Sequence, residues 1–212
     1  MNWLAHLFLS EDDAAYRIGN VIADWVKGEA RLSLPLAVRR GVACHLEIDR
    51  FTDAHPIVHR SHARIGAPLQ RFAGVLVDVF YDHFLARDWA HYCDQPFVAW
   101  KQRVYAQLLS FDAPLHPKVR AGLERMVRED WLGCYASVEG VRAILQRIAA
   151  RLSRPTPLAE GAAVLVTHYE ALRADFHAFF PQVRAHVRTW QHWQDLRRSE
   201  GDHATTQLQH RH

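Results

Sequence analysis

The chain has almost no lysine: Lys27, Lys101 and Lys118 are the only three, so 23 of its 26 basic residues are arginine. Those arginines are scattered, without a recognisable nucleic-acid motif or a basic and aromatic interleave, so nucleic acid is not an expected partner. Cysteine is equally scarce. Cys44, Cys93 and Cys134 are far apart, odd in number and without a C-x-x-C pair, which speaks against a disulfide scaffold and for reduced thiols in the cytoplasm. Long apolar runs are missing too. The opening Met1–Leu9 is too short to cross a bilayer, has no basic leader and is interrupted by His6, so neither a signal peptide nor a membrane span is expected. Strand signals are absent: no run alternates β-branched and polar residues between hairpin turns, and no internal repeat is visible.

What is present is helical periodicity. With 212 residues and 49% apolar side chains, the chain is long enough for one domain with a sizeable core. The spacing predicts an all-α bundle of about eight helices over residues 1–193, followed by a polar, unperiodic tail over 194–212. A short helix over residues 2–9 precedes a second one, opened by Ser10 and Asp13 and stopped by Gly28. Pro35–Asp53 is the third, and His55, His59 and His62 fall in a polar connecting stretch. The organising element is Pro68–Trp89. Leu69, Phe72, Leu76 and Val79 form one apolar stripe and Val75, Leu85 and Trp89 another, so it is expected to be buried almost all round. Later helices centre on Trp100, on Leu123 and on Ile144, the last capped by Ser137. Pro155 and Pro157 precede a helix through Phe179, and Pro181 is expected to divide it from a final helix bearing Val187.

Polar groups recur on faces that otherwise pack. Asp78 and Asp82 lie one turn apart on the central helix with His83 beside them; His45 and Asp49 continue an apolar stripe, with Asp53 one turn further; Asn20 and Asp24 are also a turn apart. Unpaired buried acids are very costly, so a cation must meet them, either arginines or a divalent metal. An Asp24 near a helix C-terminus is electrostatically unfavourable, which favours a function for it. Convergence of these groups gives more oxygen than nitrogen donors, a mixture suited to Mn²⁺ or Mg²⁺ and open to Fe²⁺, and unlike a structural zinc site. The di-iron signature Glu-x-x-His occurs only at Glu200–His203, in the tail.

Other catalytic templates are lacking: there is no G-x-S-x-G, Walker loop, H-E-x-x-H or dinucleotide-binding glycine motif. Metal-assisted hydrolysis of a phosphoryl group remains, with Asp49 or Asp53 placed by helical phase to take the proton of a water.

Four phrases carry a resemblance: Asn2-x-Leu-Ala-His6-Leu, Gly19-Asn20-x-x-x-Asp24, His45-x-x-Ile-Asp49-x-x-Thr-Asp53 and Asp78-Val-x-x-Asp82-His83-Phe-Leu. In this order and spacing the chain resembles the acyl carrier protein phosphodiesterases. Looser matches follow at Trp131, Tyr135, Arg151, His168-Tyr169 and Phe180-Pro181. The resemblance implies a cytoplasmic hydrolase that removes the 4′-phosphopantetheine arm from holo-acyl carrier protein with a Mn²⁺-type ion, and a helical fold distantly similar to HD-type phosphohydrolases. Because Asp82-His83 reverses the HD order, the ligand set combines helical phase with the family phrases. Asp24, His45, Asp78, Asp82 and His83 are expected to hold the metal, and His6, Asn20, Asp49 and Asp53 to act in catalysis. Arg142, Arg147 and Arg151, on one helix, are expected to dock the acidic carrier. The same cluster also admits an HD-type nucleotide phosphohydrolase, a metal sensor, or a non-catalytic carrier-binding scaffold with its acids paired to arginines.

Overall fold

A computed structural model describes residues 1–112 and 114–209, with side chains through 195. Among the described residues there are eleven α-helices and no strand. The first is α1 (Trp3–Leu9), capped by Asn2, whose Oδ1 accepts from the Trp3 amide. The second, α2 (Ala14–Ile22), is capped by Asp13, which accepts from the Tyr16 amide at 2.8 Å. Ser10, expected to open this helix, instead bonds the His6 carbonyl and receives the Asn20 amide. The helix also stops earlier than Gly28, so Asp24 lies beyond its end.

Helix α3 (Leu36–Asp53) packs along α2 at a crossing made by two glycines. A Cβ added at Gly19 would stand 1.9 Å from the Val38 carbonyl oxygen, and one at Gly41 would stand 1.9 Å from that of Tyr16. Only glycine allows the backbones so close. The stretch holding His55, His59 and His62 is no loop. It forms α4 (Pro56–Ala63), in which His55 is the N-cap and Pro56 takes the first-turn position that needs no amide.

The central helix is α5 (Ala73–Arg87), shorter than the expected Pro68–Trp89 because a 3₁₀ turn precedes it and another follows it. It touches α1, α4, α9 and α11. Leu76, Val77, Phe80, Tyr81, Phe84 and Leu85 are fully buried, and Val75 alone of its expected apolar residues is exposed. The remaining helices are α6 (Phe97–Leu109), α7 (Pro117–Arg128), the single turn α8 (Trp131–Cys134), α9 (Val138–Ala149), α10 (Gly161–Thr167) and α11 (Tyr169–Gln209).

Pro181 does not divide α11, which runs through it, while the break falls at His168. A proline inside a helix costs about 3 kcal/mol. Here its neighbours Phe179, Phe180 and Val183 are wholly buried, and two large aromatic side chains offset that cost. The tail boundary expected at residue 194 falls inside α11; residues 210–212 lie outside the described residues. No helix of the described residues is long and apolar enough to cross a membrane.

Candidate metal centre

His6 on α1 and His45 and Asp49 on α3 converge, their donor atoms within 4.8 Å of one another. His6 Nε2 lies 3.2 Å from Asp49 Oδ1, and His45 Nε2 lies 3.0 Å from Asp49 Oδ2. The two buried imidazoles stack with ring centres 4.0 Å apart. Their orientation comes from one residue. The buried Asn20 donates from Nδ2 to the His6 carbonyl at 3.1 Å, which turns its Oδ1 toward His6 Nδ1 at 3.0 Å. Its own backbone carbonyl meets His45 Nδ1 at 2.8 Å. Oxygens of this kind only accept, so each Nδ1 carries a proton, while His45 Nε2 faces Asp49 and His6 Nε2 faces both Asp49 and the Met1 carbonyl at 3.1 Å.

Neutral imidazoles would thus set nitrogen lone pairs against carboxylate oxygens, an arrangement that needs a cation or further protons. His45 Nε2 is buried, yet forms no directed hydrogen bond despite its two nearby carboxylates, Asp49 and Asp24. Burial opposes its charged form, but Asp24 and Asp49 outweigh this and push it up to about 9. His6 goes the other way: burial and the neighbouring His45 lower it, and its Nε2 has the Met1 carbonyl and Asp49 as its neighbours. Burial alone would raise Asp49, but His45 and His6 hold it well below the ordinary carboxylate range. Two imidazole nitrogens and a firmly ionised carboxylate, facing one another across a gap, fit a divalent ion.

More negative charge lines the adjoining cavity of about 230 Å³, bounded by Asp24, Asp78, Trp3, Val75 and Arg151 among others. The Asp24 side chain is 71% exposed and its Oδ1 lies 3.6 Å from His45 Nε2, so it borders the cluster from the solvent side instead of being buried as expected. Asp78 lies 2.8 Å from the Met1 ammonium, which is also 4.0 Å from Asp49. Among the described residues no arginine or lysine pairs with Asp24, Asp49, Asp78 or Asp82. Asp49 and Asp78 therefore share the Met1 ammonium, and the other cation that Asp24 and Asp49 meet is a protonated His45. Asp53 is exposed one turn beyond Asp49; partial burial raises its carboxyl, and Asp78 and Asp49 raise it further.

Two expected ligands lie elsewhere. Both oxygens of the fully buried Asp82 are taken by the first turn of α1, accepting from the amides of Asn2 (3.3 Å), Leu4 (2.7 Å) and Ala5 (3.3 Å). Burial pushes its carboxyl up to about 7, against the Met1 ammonium and these amides. Its position is that of a clamp that sets α1, and so His6, against α5. His83 points to a different depression, donating from Nδ1 to the Tyr135 carbonyl at 2.8 Å and meeting the Tyr169 hydroxyl at 3.1 Å. Adjacent residues on a helix point about 100° apart, and only the Asp78 side of α5 faces the cavity. His6 and Asp49, expected to act in catalysis, lie with His45 in the group whose donor atoms could hold a metal ion, and Asn20 bonds both imidazoles.

Arg147 and Arg151 both lie over the Trp131 ring, at 5.5 and 5.4 Å, and Arg151 also faces Trp3 at 6.0 Å. Arg142 is exposed on α9. The phrase Asn2 to His6 was the available signal for α1, since only the fold shows that its imidazole meets α3.

A family profile described as acyl carrier protein phosphodiesterase matches residues 1–183. An acyl carrier protein phosphodiesterase from Enterobacter sp. (strain 638) is 30% identical over 195 residues, covering 90% of this chain and all of the relative. One from Escherichia coli (strain K12 / DH10B) is 31% identical over 189 residues, covering 87% of this chain and 96% of the relative. No solved structure matches the chain. His6, His45 and Asp49, and the Asn20 that bonds both imidazoles, all lie within the matched span, and the chain belongs to the acyl carrier protein phosphodiesterase family.

Proposed function

We propose that the chain is a metal-dependent phosphodiesterase that releases 4′-phosphopantetheine from holo-acyl carrier protein, leaving the carrier serine free. The observation that carries the metal is the convergence of His6 Nε2 and His45 Nε2 on the two oxygens of one ionised carboxylate, Asp49, with each Nδ1 turned to an oxygen of Asn20. His6, His45 and Asp49 would hold the ion, with Asp24 and Asp78 beside it, and Mn²⁺ suits a mixed set of imidazole and carboxylate better than Mg²⁺, with Fe²⁺ the next candidate. When bound, such an ion polarises a phosphoryl oxygen and lowers the pKa of a water toward neutrality.

The chain's own groups do the rest. Arg151, at the cavity wall, supplies positive charge to the phosphodiester. Asp53, its carboxyl raised by burial and by its acidic neighbours, accepts the proton of the attacking water, since a raised acid is the better base. Asp24 and Asp78 repel anions that lack a counter-ion and keep the cavity selective for a cation and its phosphate. Three free cysteines agree with a cytoplasmic setting.

The test is mass spectrometry of holo-carrier incubated with protein purified without chelator, together with metal analysis. Conversion to the apo form with release of 4′-phosphopantetheine, lost by at least 10²-fold in Asp49→Ala and His45→Ala along with the bound metal, is the expected result. Bound metal without conversion would overturn the carrier reading, and undiminished conversion in both variants would overturn the metal centre.

A further inference from the structure

Beside the cavity of the metal centre lies a larger open groove of about 600 Å³, floored by Trp25, Val26, Val119, Gly122 and Trp131. The two depressions share a wall. Arg151 lines both, and Trp3 of the cavity stacks on Trp131 of the groove with ring centres 4.8 Å apart. On the other side the chain runs directly from Asp24, in the cavity, to Trp25, Val26 and Lys27, in the groove. A molecule whose phosphate sits at the cluster and which extends past Arg151 therefore enters this groove.

Size and chemistry limit what such a molecule is. The cavity, at about 230 Å³, holds a phosphate but lies below the roughly 300–1,000 Å³ of sites that take small organic ligands, while the groove falls within that range. Its floor is aromatic and aliphatic, and its depth depends on a glycine: a Cβ at position 122 would come within 3.0 Å of the Trp25 ring. Lys27, Lys118 and Arg125 are the cations along it.

We infer that this groove receives the pantetheine arm of the carrier substrate, with Arg151 at the phosphate end, an assignment that rests on the function proposed above. The arm is an extended, uncharged chain with a dimethyl-branched carbon, two amides and a terminal thiol. Its branched carbon suits the tryptophan floor of the groove. The cations then face the acidic carrier from which the arm projects.

Two substitutions fill the groove from different sides: Ala30→Phe, at an exposed position, and Gly122→Leu, which crowds Trp25. Pantetheine, which has no phosphate, is titrated by calorimetry into the manganese-loaded protein. Wild type binds it, and binding weakens at least tenfold in Ala30→Phe and in Gly122→Leu, with manganese content unchanged. If Gly122→Leu fails to fold, Ala30→Phe alone decides. Absence of pantetheine binding to wild type overturns the assignment, as does equal binding by the filled variants. Equal binding joined to a raised KM for holo-carrier would place the carrier's surface there in its stead. Binding that is lost in the variants, in a protein that converts no holo-carrier, sinks the proposed reaction and leaves the groove assignment standing.

Discussion

At the scale of single residues, the cluster works by removing choices of proton position. Asn20 makes no contact with the gap itself, yet it fixes both imidazoles, one through its side chain and one through its backbone carbonyl. Outer-shell partners of this kind set ring orientation and ligand basicity. The charges then predict a pH dependence. In the metal-free protein Asp49 is ionised and His6 is lowered, so neither has a proton to give up near neutrality, whereas His45 is pushed up to about 9. An incoming ion must displace that one proton. The apparent manganese affinity should rise about tenfold per pH unit from 7 to 9 and level off above, with one proton released per ion. Calorimetry in buffers of different ionisation enthalpy measures the proton count, and a flat affinity across this window would show that His45 is not a ligand. His45 and Asp49 were legible in the sequence because a four-residue spacing along an apolar stripe puts His45 in the interior and Asp49 half-buried at its edge. The roles of His6 and Asn20 were not, because which nitrogen faces which oxygen depends on a meeting of α1, α2 and α3 that no local spacing encodes.

Among the elements, local patterns predicted most helices and missed those decided by packing. Apolar periodicity located α3, α6 and α9 closely, since each buries one stripe, and it found α5, buried almost all round, without its ends. Proline rules placed a break at 181 that the burial of Phe179, Phe180 and Val183 overrides, and a histidine-rich stretch hid α4, whose His55 and Pro56 are in fact a cap and a first-turn residue. Asp82 was read as a ligand because an acid on an apolar helix demands a partner, and the sequence could not say that the partner was the first turn of α1. The crossing of α2 and α3 is the element contact on which the centre most depends, because it carries the Asn20 carbonyl to His45. Gly41→Ala drives a methyl into the Tyr16 carbonyl, where the backbone cannot yield cheaply. Overpacking costs about 1–3 kcal/mol, which in a chain of this size lowers Tm by roughly 3–10 °C. Manganese affinity should fall with it. Gly74→Ala is the control, since a Cβ there meets nothing within 4 Å and helix propensity favours alanine. Calorimetric melting of both variants decides the point: equal Tm values would mean that the crossing tolerates a wider spacing.

For the molecule as a whole, the centre draws on distant parts of the chain. His6 comes from α1, His45 and Asp49 from α3, Asp78 from α5, and Asp24 from the segment after α2. Without a divalent ion these acids meet only the Met1 ammonium and a protonated His45, so the folded state holds negative charge at low separation that the unfolded chain would disperse. Elsewhere the molecule neutralises its buried acids directly. Asp88 receives a two-point contact from Arg173 and a bond from His177, and Asp175 is held by Arg60, Arg64 and Ser61. These pairs tie α11 to α4 and to the end of α5, and leave the α1 to α3 side as the part whose stability an ion can change. Metal should therefore act as a folding ligand. At a free concentration 100 times its dissociation constant it adds about 2.7 kcal/mol, or roughly 5–10 °C in Tm for a domain of this length. Chelator should remove that increment in wild type, and His45→Ala should show no increment to remove. Hydrogen exchange would place the gained protection in α1, α2 and α3 and leave α11 unchanged. A metal-dependent rise spread evenly over α11, or one that persists in His45→Ala, would mean that the ion binds somewhere other than between α1 and α3.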